Sequence, residues 1–407
     1  MFRKTDEVKV LRDPVHGYIH VEYEVIWQCI NSRWMQRLRR IRQLGGAHMV
    51  YHAADHSRFQ HSLGVYEIVR RMVTEVQDLA GSLTEQEKVT VMLAGLMHDI
   101  GHGPYSHAFE AVTPATHEEY TCEIIEQDPE LRGYMEACVP GLARDVADVI
   151  RHRSANPILP QLVSAQLDAD RMDYLLRDAY FTGTKYGVFD LERLLRTLRV
   201  SDNRLVVKES GVYAVEYYIM ARYHMYWQVY YHPIARSYES LIAQLFVRLR
   251  DLADAGKFPH SIPEFEPLAA NRKLSLDEFF VLDEYTCSYG FQLLSRCDDP
   301  VAADLASRLR DRRLFDYAEG TPQNIEKITA VLQQQGYDPK YYLAHQAVRQ
   351  RPYEPYSGQR ENAIWIRMHG GEIRELSAAS SIVASLIKAP LLSDNRVFFP
   401  VPASENQ

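Results

Sequence analysis

Cysteine is scarce in this chain of 407 residues: Cys29, Cys122, Cys138, Cys287 and Cys297 are scattered, odd in number and without a CxxC pair. Neither a disulfide framework nor a cysteine-rich zinc site is expected from that pattern. Long apolar runs are missing too. No stretch approaches the roughly 20 residues of a membrane span, and the N-terminal MFRKTDEVKV lacks the apolar run of a signal peptide. A reducing, cytoplasmic setting without membrane contact is therefore expected. Positive charge is in deficit, with 46 Lys and Arg against 54 Asp and Glu, a net charge of −8. That balance speaks against non-specific nucleic-acid binding. Internal repeats and low-complexity tracts are absent.

What is present is an ordinary soluble composition, 46% hydrophobic and 25% charged. The length exceeds one simple core. The expected division is a catalytic core over residues 1–255, with its chemistry between about 50 and 180, and an appended C-terminal helical and mixed α/β region over 256–407. Tyrosine is abundant at 26; it can pack a core or line a polar cavity. One short segment crowds Arg33, Arg37, Arg39, Arg40 and Arg42, to be read either as a solvated helix face or as an anion site.

Periodicity predicts a mainly α protein. Residues 7–22 read as extended pieces around Asp13-Pro14 and Gly17. Apolar residues at helical spacing predict one helix from Val25 to Leu44, and another begins after Ser57. Thr84 with Glu87 has the capping-box pattern for a helix to about Asp99. Further helices are predicted at 118–127, 142–152, 161–179 and 189–198. Residues 200–215 predict a hairpin around a Lys-Glu-Ser-Gly turn. A long aromatic helix is predicted from Val215 to Asp251, then a Pro-rich linker at 257–270.

Eight of the sixteen histidines fall between His48 and His117. His98-Asp99 ends the apolar stretch LAGLM and is followed by IGHGPYSH. Adjacent helical residues point about 100° apart, so this pair shares a ligand only where the helix ends or faces a cavity. His102 lies one turn beyond. Asp170, Tyr174 and Asp178 recur at i, i+4 and i+8, on one helix face: either an exposed face with Asp–Arg pairs or the lining of a polar cavity. Imidazole with carboxylate suits Mn, Fe, Zn, Ni or Co better than Ca.

The order His61, His98-Asp99, Asp170 resembles the H…HD…D pattern of the HD-domain phosphohydrolases. The words RLRRIRQLGG (37–46), HSRFQHSLGV (56–65), AGLMHDIGHGPYSHAFE (94–110), THEE (116–119) and LDADRMDYLLRDAYFTG (167–183) are similar to its deoxynucleoside triphosphate triphosphohydrolase branch. The resemblance runs from about residue 8 to 320. It implies a helical core in which His61, His98, Asp99 and Asp170 hold a divalent ion (Mn, Fe, Mg, Zn, Ni or Co). Arg58 is implied as the α-phosphate contact, His107 with Glu110 as the catalytic histidine–acid pair, and His117 as a further active-site histidine. Gln43 and Asp178 resemble groups that hold a sugar 3′-hydroxyl. Leu44 and Tyr230 resemble residues that leave no room for a 2′-hydroxyl. His102, Tyr174, Arg222 and Tyr226 fall where the family binds substrate.

Lys9, Val10, Gln36 and Arg39 resemble a nucleotide activator site. Asn31 stands there in place of an aspartate of the vertebrate member that carries a sterile-alpha-motif domain. Glu110 likewise replaces an aspartate. The implied protein is a homo-oligomer, dimer or tetramer, that hydrolyses a dNTP to deoxynucleoside and triphosphate. The alternatives are a 5′-nucleotidase or phosphodiesterase of the same superfamily, and a nucleotide sensor or nucleic-acid-binding protein without turnover.

Overall fold

A computed structural model of the chain describes residues 2–110, 112–350, 353, 363–390 and 392–401, with side chains for all of these except His107 and Gln350. Among the described residues the architecture is mainly helical with three small sheets. Thr84 and Glu87 cap one another, Glu87 N–H on Thr84 Oγ1 at 3.2 Å and Thr84 N–H on the Glu87 carboxylate at 2.8 Å. From there the helix Glu85–Met97 is buried at every residue from Val89 to Met97. Its Val91, Leu93 and Leu96 lie in the same apolar core as Val65, Ile68 and Val69 of the helix Arg58–Glu75. Burying each such side chain contributes roughly 1.5–3 kcal/mol. The two helices approach at Gly95, where a Cβ would stand 2.9 Å from Val69 Cγ2. The helix Ala169–Thr182 also packs against Arg58–Glu75, meeting it at Gly64.

Several predicted elements are broken where a local cap competes with periodicity. The single helix predicted over Val25–Leu44 is two, Glu24–Asn31 and Arg33–Arg37, because the Ser32 side chain turns to accept from Met35 N–H. Residues 161–179 divide into Ile158–Val163 and Ala169–Thr182, with Asp168 capping the second. The hairpin Leu198–Ser201/Arg204–Lys208 turns at Asp202-Asn203, both in the left-handed region, rather than at Lys-Glu-Ser-Gly. The predicted aromatic helix is interrupted at His232-Pro233. It comprises Val212–Met225, a π turn over Tyr226–Tyr230, and a new helix Pro233–Asp254.

Most of the arginine run is spent on partners within the protein, while Arg33 and Arg39 keep exposed side chains. Arg33 pairs with Asp128 at 2.6 Å, Arg40 with Asp283 at 2.5 Å, and Arg42 with Asp55 at 2.7 Å and with Glu284. Arg37 is fully buried against the carbonyls of His102, Phe280 and Leu282. Residues 257–270 are packed rather than linker-like, with Phe258, Ile262, Phe265 and Leu268 in the core.

The helix Pro233–Asp254 runs close to the Gly45–Met49 turn, and a Cβ on Gly46 would lie 2.6 Å from Ala235 O. It is tied to the three-stranded sheet in which Leu392–Phe399 sits between Asp316–Glu319 and Ala344–Gln350. Arg236 makes the tie, 2.6 Å from Asp394 and 3.1 Å from Gln346 Oε1. Among the described residues no helix is long and apolar enough to cross a membrane.

Candidate metal centre and adjoining cavity

Three helix ends converge. Arg58 opens the helix Arg58–Glu75 and His61 lies one turn in. His98 caps the end of Glu85–Met97, so the backbone leaves the helix there and Asp99 turns to the same side. Asp170 sits in the first turn of Ala169–Thr182. His61 Nε2 lies 3.1 Å from Asp170 Oδ1 and 3.8 Å from Asp99 Oδ2. His98 Nε2 lies 3.6 Å from Asp170 Oδ1 and 3.3 Å from Asp99 Oδ1. Each imidazole is held through its other nitrogen, His61 Nδ1 by Asp173 at 2.8 Å and His98 Nδ1 by Gly95 O at 2.9 Å. Holding Nδ1 fixes the tautomer that leaves Nε2 as a ligand. Both Nε2 atoms are buried without a hydrogen-bond partner. The two orphaned ring nitrogens and Asp99 lie close enough together to hold one divalent cation, with Asp170 beside both rings.

The electrostatics agree. Burial opposes charge on His61, but the carboxylates of Asp170 and Asp173 outweigh it and raise its pKa to about 10. Burial likewise opposes ionisation of Asp170, and His61 and His98 hold it below the ordinary carboxylate range. The cluster attracts positive charge. His102 behaves in the opposite way: burial and then the Arg58 guanidinium push its pKa down to about 3. It remains a neutral ring, stacked on His117 with centroids 3.9 Å apart.

The cluster opens into a cavity of about 580 Å³. Gln43, Leu44, Arg58, Asp99, His102, His117, Asp170, Tyr174, Asp178, Tyr226 and Tyr230 all line it. Arg58 bridges Asp99 and Ser106 Oγ, the latter at 2.7 Å. His117 Nδ1 is held by the Glu110 carboxylate. The side chain of His107 lies outside the described residues. Asp178 is gripped from both sides, by His56 Nε2 at 2.8 Å and the Tyr230 hydroxyl at 2.8 Å. Gln43 Oε1 is buried and unpartnered. Burial raises the Tyr174 and Tyr230 hydroxyls well above the usual range, so they stay protonated donors. The π turn, closed by Tyr231 N–H on Tyr226 O at 2.8 Å, brings Tyr226, Tyr230 and Tyr231 to the same wall.

Arg222 is not in the lining; it donates to Gln166 Oε1 at 3.1 Å and lies over the Tyr226 ring. Nor are Lys9, Val10, Asn31, Gln36 and Arg39. Val10 and Asn31 are exposed, Asn31 Nδ2 donating to Trp27 O at 2.8 Å. Gln36 links Ile30 O to Arg39 at 2.8 Å each. Sequence reasoning missed His56, Arg171, Tyr231, Arg236, Glu239, Gln346 and Val348, of which all but His56 line the cavity. Arg171 had a signal, since it follows Asp170 on the same helix. Gln346 and Val348 come from a strand far along the chain and had none.

The HD domain family model matches residues 58–178, and that of the HD associated region matches 189–257. An uncharacterized protein of Bacillus subtilis, YwfO, is 43% identical over 405 residues, 98% of this chain and 93% of its own length. The deoxynucleoside triphosphate triphosphohydrolase SAMHD1 of Bos taurus is 26% identical over 371 residues, 79% of this chain and 60% of that protein. A crystal structure of a phosphohydrolase from Bacteroides thetaiotaomicron superposes with a TM-score of 0.86 at 28% identity, over 97% of this chain and 100% of that one.

Proposed function

We propose that this chain, which belongs to the HD-domain phosphohydrolase family, hydrolyses deoxynucleoside triphosphates to deoxynucleoside and triphosphate. One observation carries the reading: a cation-seeking cluster with two orphaned imidazole nitrogens opens into the cavity that also holds Gln43, Leu44, Asp178 and Tyr230. His61, His98, Asp99 and Asp170 would hold the divalent ion, with Mn, Fe, Mg, Zn, Ni and Co as candidates. When bound, such an ion supplies Lewis acidity toward a phosphoryl oxygen and lowers the pKa of water.

The chain's own residues do the rest. Arg58, buried beside Asp99, offsets charge on the α-phosphoryl oxygens, where phosphoryl transfer is mainly stabilised. Arg171, lining the same cavity, takes the phosphate tail together with His102 and Tyr174. The departing 5′-oxygen needs a proton, and His107 is assigned to give it. Glu110, oriented on His117, makes His117 the second candidate for that proton. Asp178, fixed by His56 and Tyr230, and Gln43, with its free carbonyl oxygen, take the 3′-hydroxyl. Leu44 and Tyr230 close the space a 2′-hydroxyl needs, and Tyr226 continues that wall. Arg222 acts indirectly, through Gln166 and Tyr226.

Residues 1–255 form the catalytic core in this reading, and 256–407 lend Gln346 and Val348 to the wall. Lys9, Val10, Asn31, Gln36 and Arg39 form an activator surface in a homo-oligomer. The test is incubation with each dNTP, singly and mixed, with Mg, Mn or Co, followed by product identification. Triphosphate release is the expected result, and a requirement for mixtures reveals the activator. Orthophosphate from a dNMP indicates a 5′-nucleotidase instead; cleavage of a diester alone indicates a phosphodiesterase.

A further inference from the structure

The hairpin of strands Lys4–Asp13 and Gly17–Tyr23 stands at the edge of the molecule in sequence, yet its tip reaches the interior. Asp13 Oδ1 accepts the N–H groups of Val15 and His16, at 2.9 and 3.0 Å, and so shapes the turn. The same carboxylate takes both ends of the Arg177 guanidinium, at 2.8 and 3.2 Å. Arg177 in turn grips Asp173, with Nε on Oδ2 and Nη2 on Oδ1, each at 2.9 Å. His16 Nε2 completes the cage, 2.6 Å from Asp173 Oδ1. Asp173 is fully buried, and its Oδ2 holds His61 Nδ1 at 2.8 Å.

Space for this cage is built in. A Cβ on Gly64, one turn along the helix from His61, would overlap both Asp173 Oδ1 and Arg177 Nη2. A carboxylate on the far nitrogen of a ligand histidine sets ring orientation and ligand basicity. Here two of the groups that set the carboxylate lie on the hairpin, 157 and 164 positions from their partners. A hairpin alone is only marginally stable in water, so it relies on its contacts with the body of the protein, this anchor together with buried Ile19 and Val21.

We propose that Asp13 and His16 are positioning residues of the metal centre, acting through Asp173 on His61, so that docking of the hairpin and binding of the cation are one linked equilibrium. The coupling runs both ways, as binding linkage requires: cation binding tightens the hairpin, and loosening the hairpin weakens the cation. The proposal rests on the metal set assigned above and not on the choice of substrate. Lys9 and Val10 lie on the strand that ends in Asp13, so a ligand that shifts that strand is felt at His61.

The test uses the full chain, stripped with a chelator and titrated with Mn or Co. Asp13→Asn and His16→Gln are expected to bind the ion about 10–100-fold more weakly, the usual cost of an outer partner. They are also expected to shift the visible bands of the Co form, which a loss of stability alone does not do. Folded variants with unchanged affinity and unchanged bands overturn the proposal. Should the variants not fold, the wild-type chain decides. Hydrogen exchange of the amides of residues 4–23 slows on adding Mn if the equilibria are linked, and equal rates with and without Mn overturn it. A wild-type chain that binds neither ion overturns the metal assignment itself.

Discussion

The two sides of the cavity are held in opposite ways. On the metal side three of the four candidate ligands are backed by a buried polar partner: Asp173 behind His61, Gly95 O behind His98, Arg58 beside Asp99. On the tyrosine side the groups lean mainly on one another, with Tyr226 and Tyr230 centroids 5.1 Å apart and Tyr174 and Tyr230 5.9 Å apart, edge to face. Directional bonds fix a position, whereas edge-to-face rings of this kind contribute only about 0.5–1.5 kcal/mol beyond their burial. The metal side is thus set by directional bonds, whereas the tyrosine wall is set chiefly by ring packing, with the Tyr230 hydroxyl on Asp178 as its directional tie.

Substitutions can break that contrast, beginning with the largest effect. His61→Ala or Asp170→Ala is expected to abolish metal retention and turnover together, exceeding the roughly 10–100-fold cost of losing an outer partner; metal content after gel filtration, beside triphosphate release, checks it. His107→Ala is expected to lose about 10²–10⁴-fold in turnover while keeping metal and nucleotide binding. The same loss in His117→Ala, with His107→Ala near wild type, transfers the acid to the Glu110–His117 pair. Arg58→Ala should lower kcat by about 10²–10³-fold, as removal of one donor to a developing oxyanion does, with single-turnover rates as the measure.

On the softer side, Tyr230→Phe keeps the ring and deletes one bond to Asp178. A loss of about 1 kcal/mol is expected, seen as a several-fold rise in KM with little change in kcat. Away from the cavity, Asp128→Asn should leave turnover unchanged but lower stability by about 1–3 kcal/mol. Burial opposes the charge of Asp128, but the Leu131 N–H, Arg33 and Trp34 hold its pKa below the usual carboxylate value. A depressed folded pKa means that this contribution is present above the ordinary carboxylate range and lost as pH falls through the lower folded value. Chemical denaturation of both forms across acidic pH should therefore converge at the acid end.

The sequence made the metal side legible because its residues are short words at helix ends, HSRFQH, MHD and LDAD, where type and spacing already imply chemistry. It was less clear about what stands behind them. Asp173 and Arg177, at i and i+4, look like an ordinary helix ion pair. Only the fold reveals that Asp173 faces His16 and His61 and that Arg177 faces Asp13. His56 looked structural, and its partner Asp178 is 122 positions away. The helix boundaries failed where one polar side chain outvoted the apolar rhythm, at Ser32 and Asp168, and where Pro233 cut an aromatic run whose ends both look helical. The Arg33–Arg42 segment was ambiguous because charge in a sequence says nothing of burial: Arg37 is among the most buried of the described side chains, while Arg33 and Arg39 are exposed. Gln346 and Val348 reach the cavity through a strand order that no local pattern encodes.

The π turn at Tyr226–Tyr230 makes chain length a functional variable. One residue fewer there would restore ordinary α-helical winding and rotate everything beyond it by about 100°. Tyr230 would then leave Asp178, and Pro233 would enter at the wrong phase to start the next helix. A conservative change within the turn costs a single contact, whereas an insertion or deletion displaces the whole wall. The exposed hairpin turn at Asp202-Asn203 lies outside the cavity lining, so a deletion scan across the two segments should find turnover far more sensitive at the π turn.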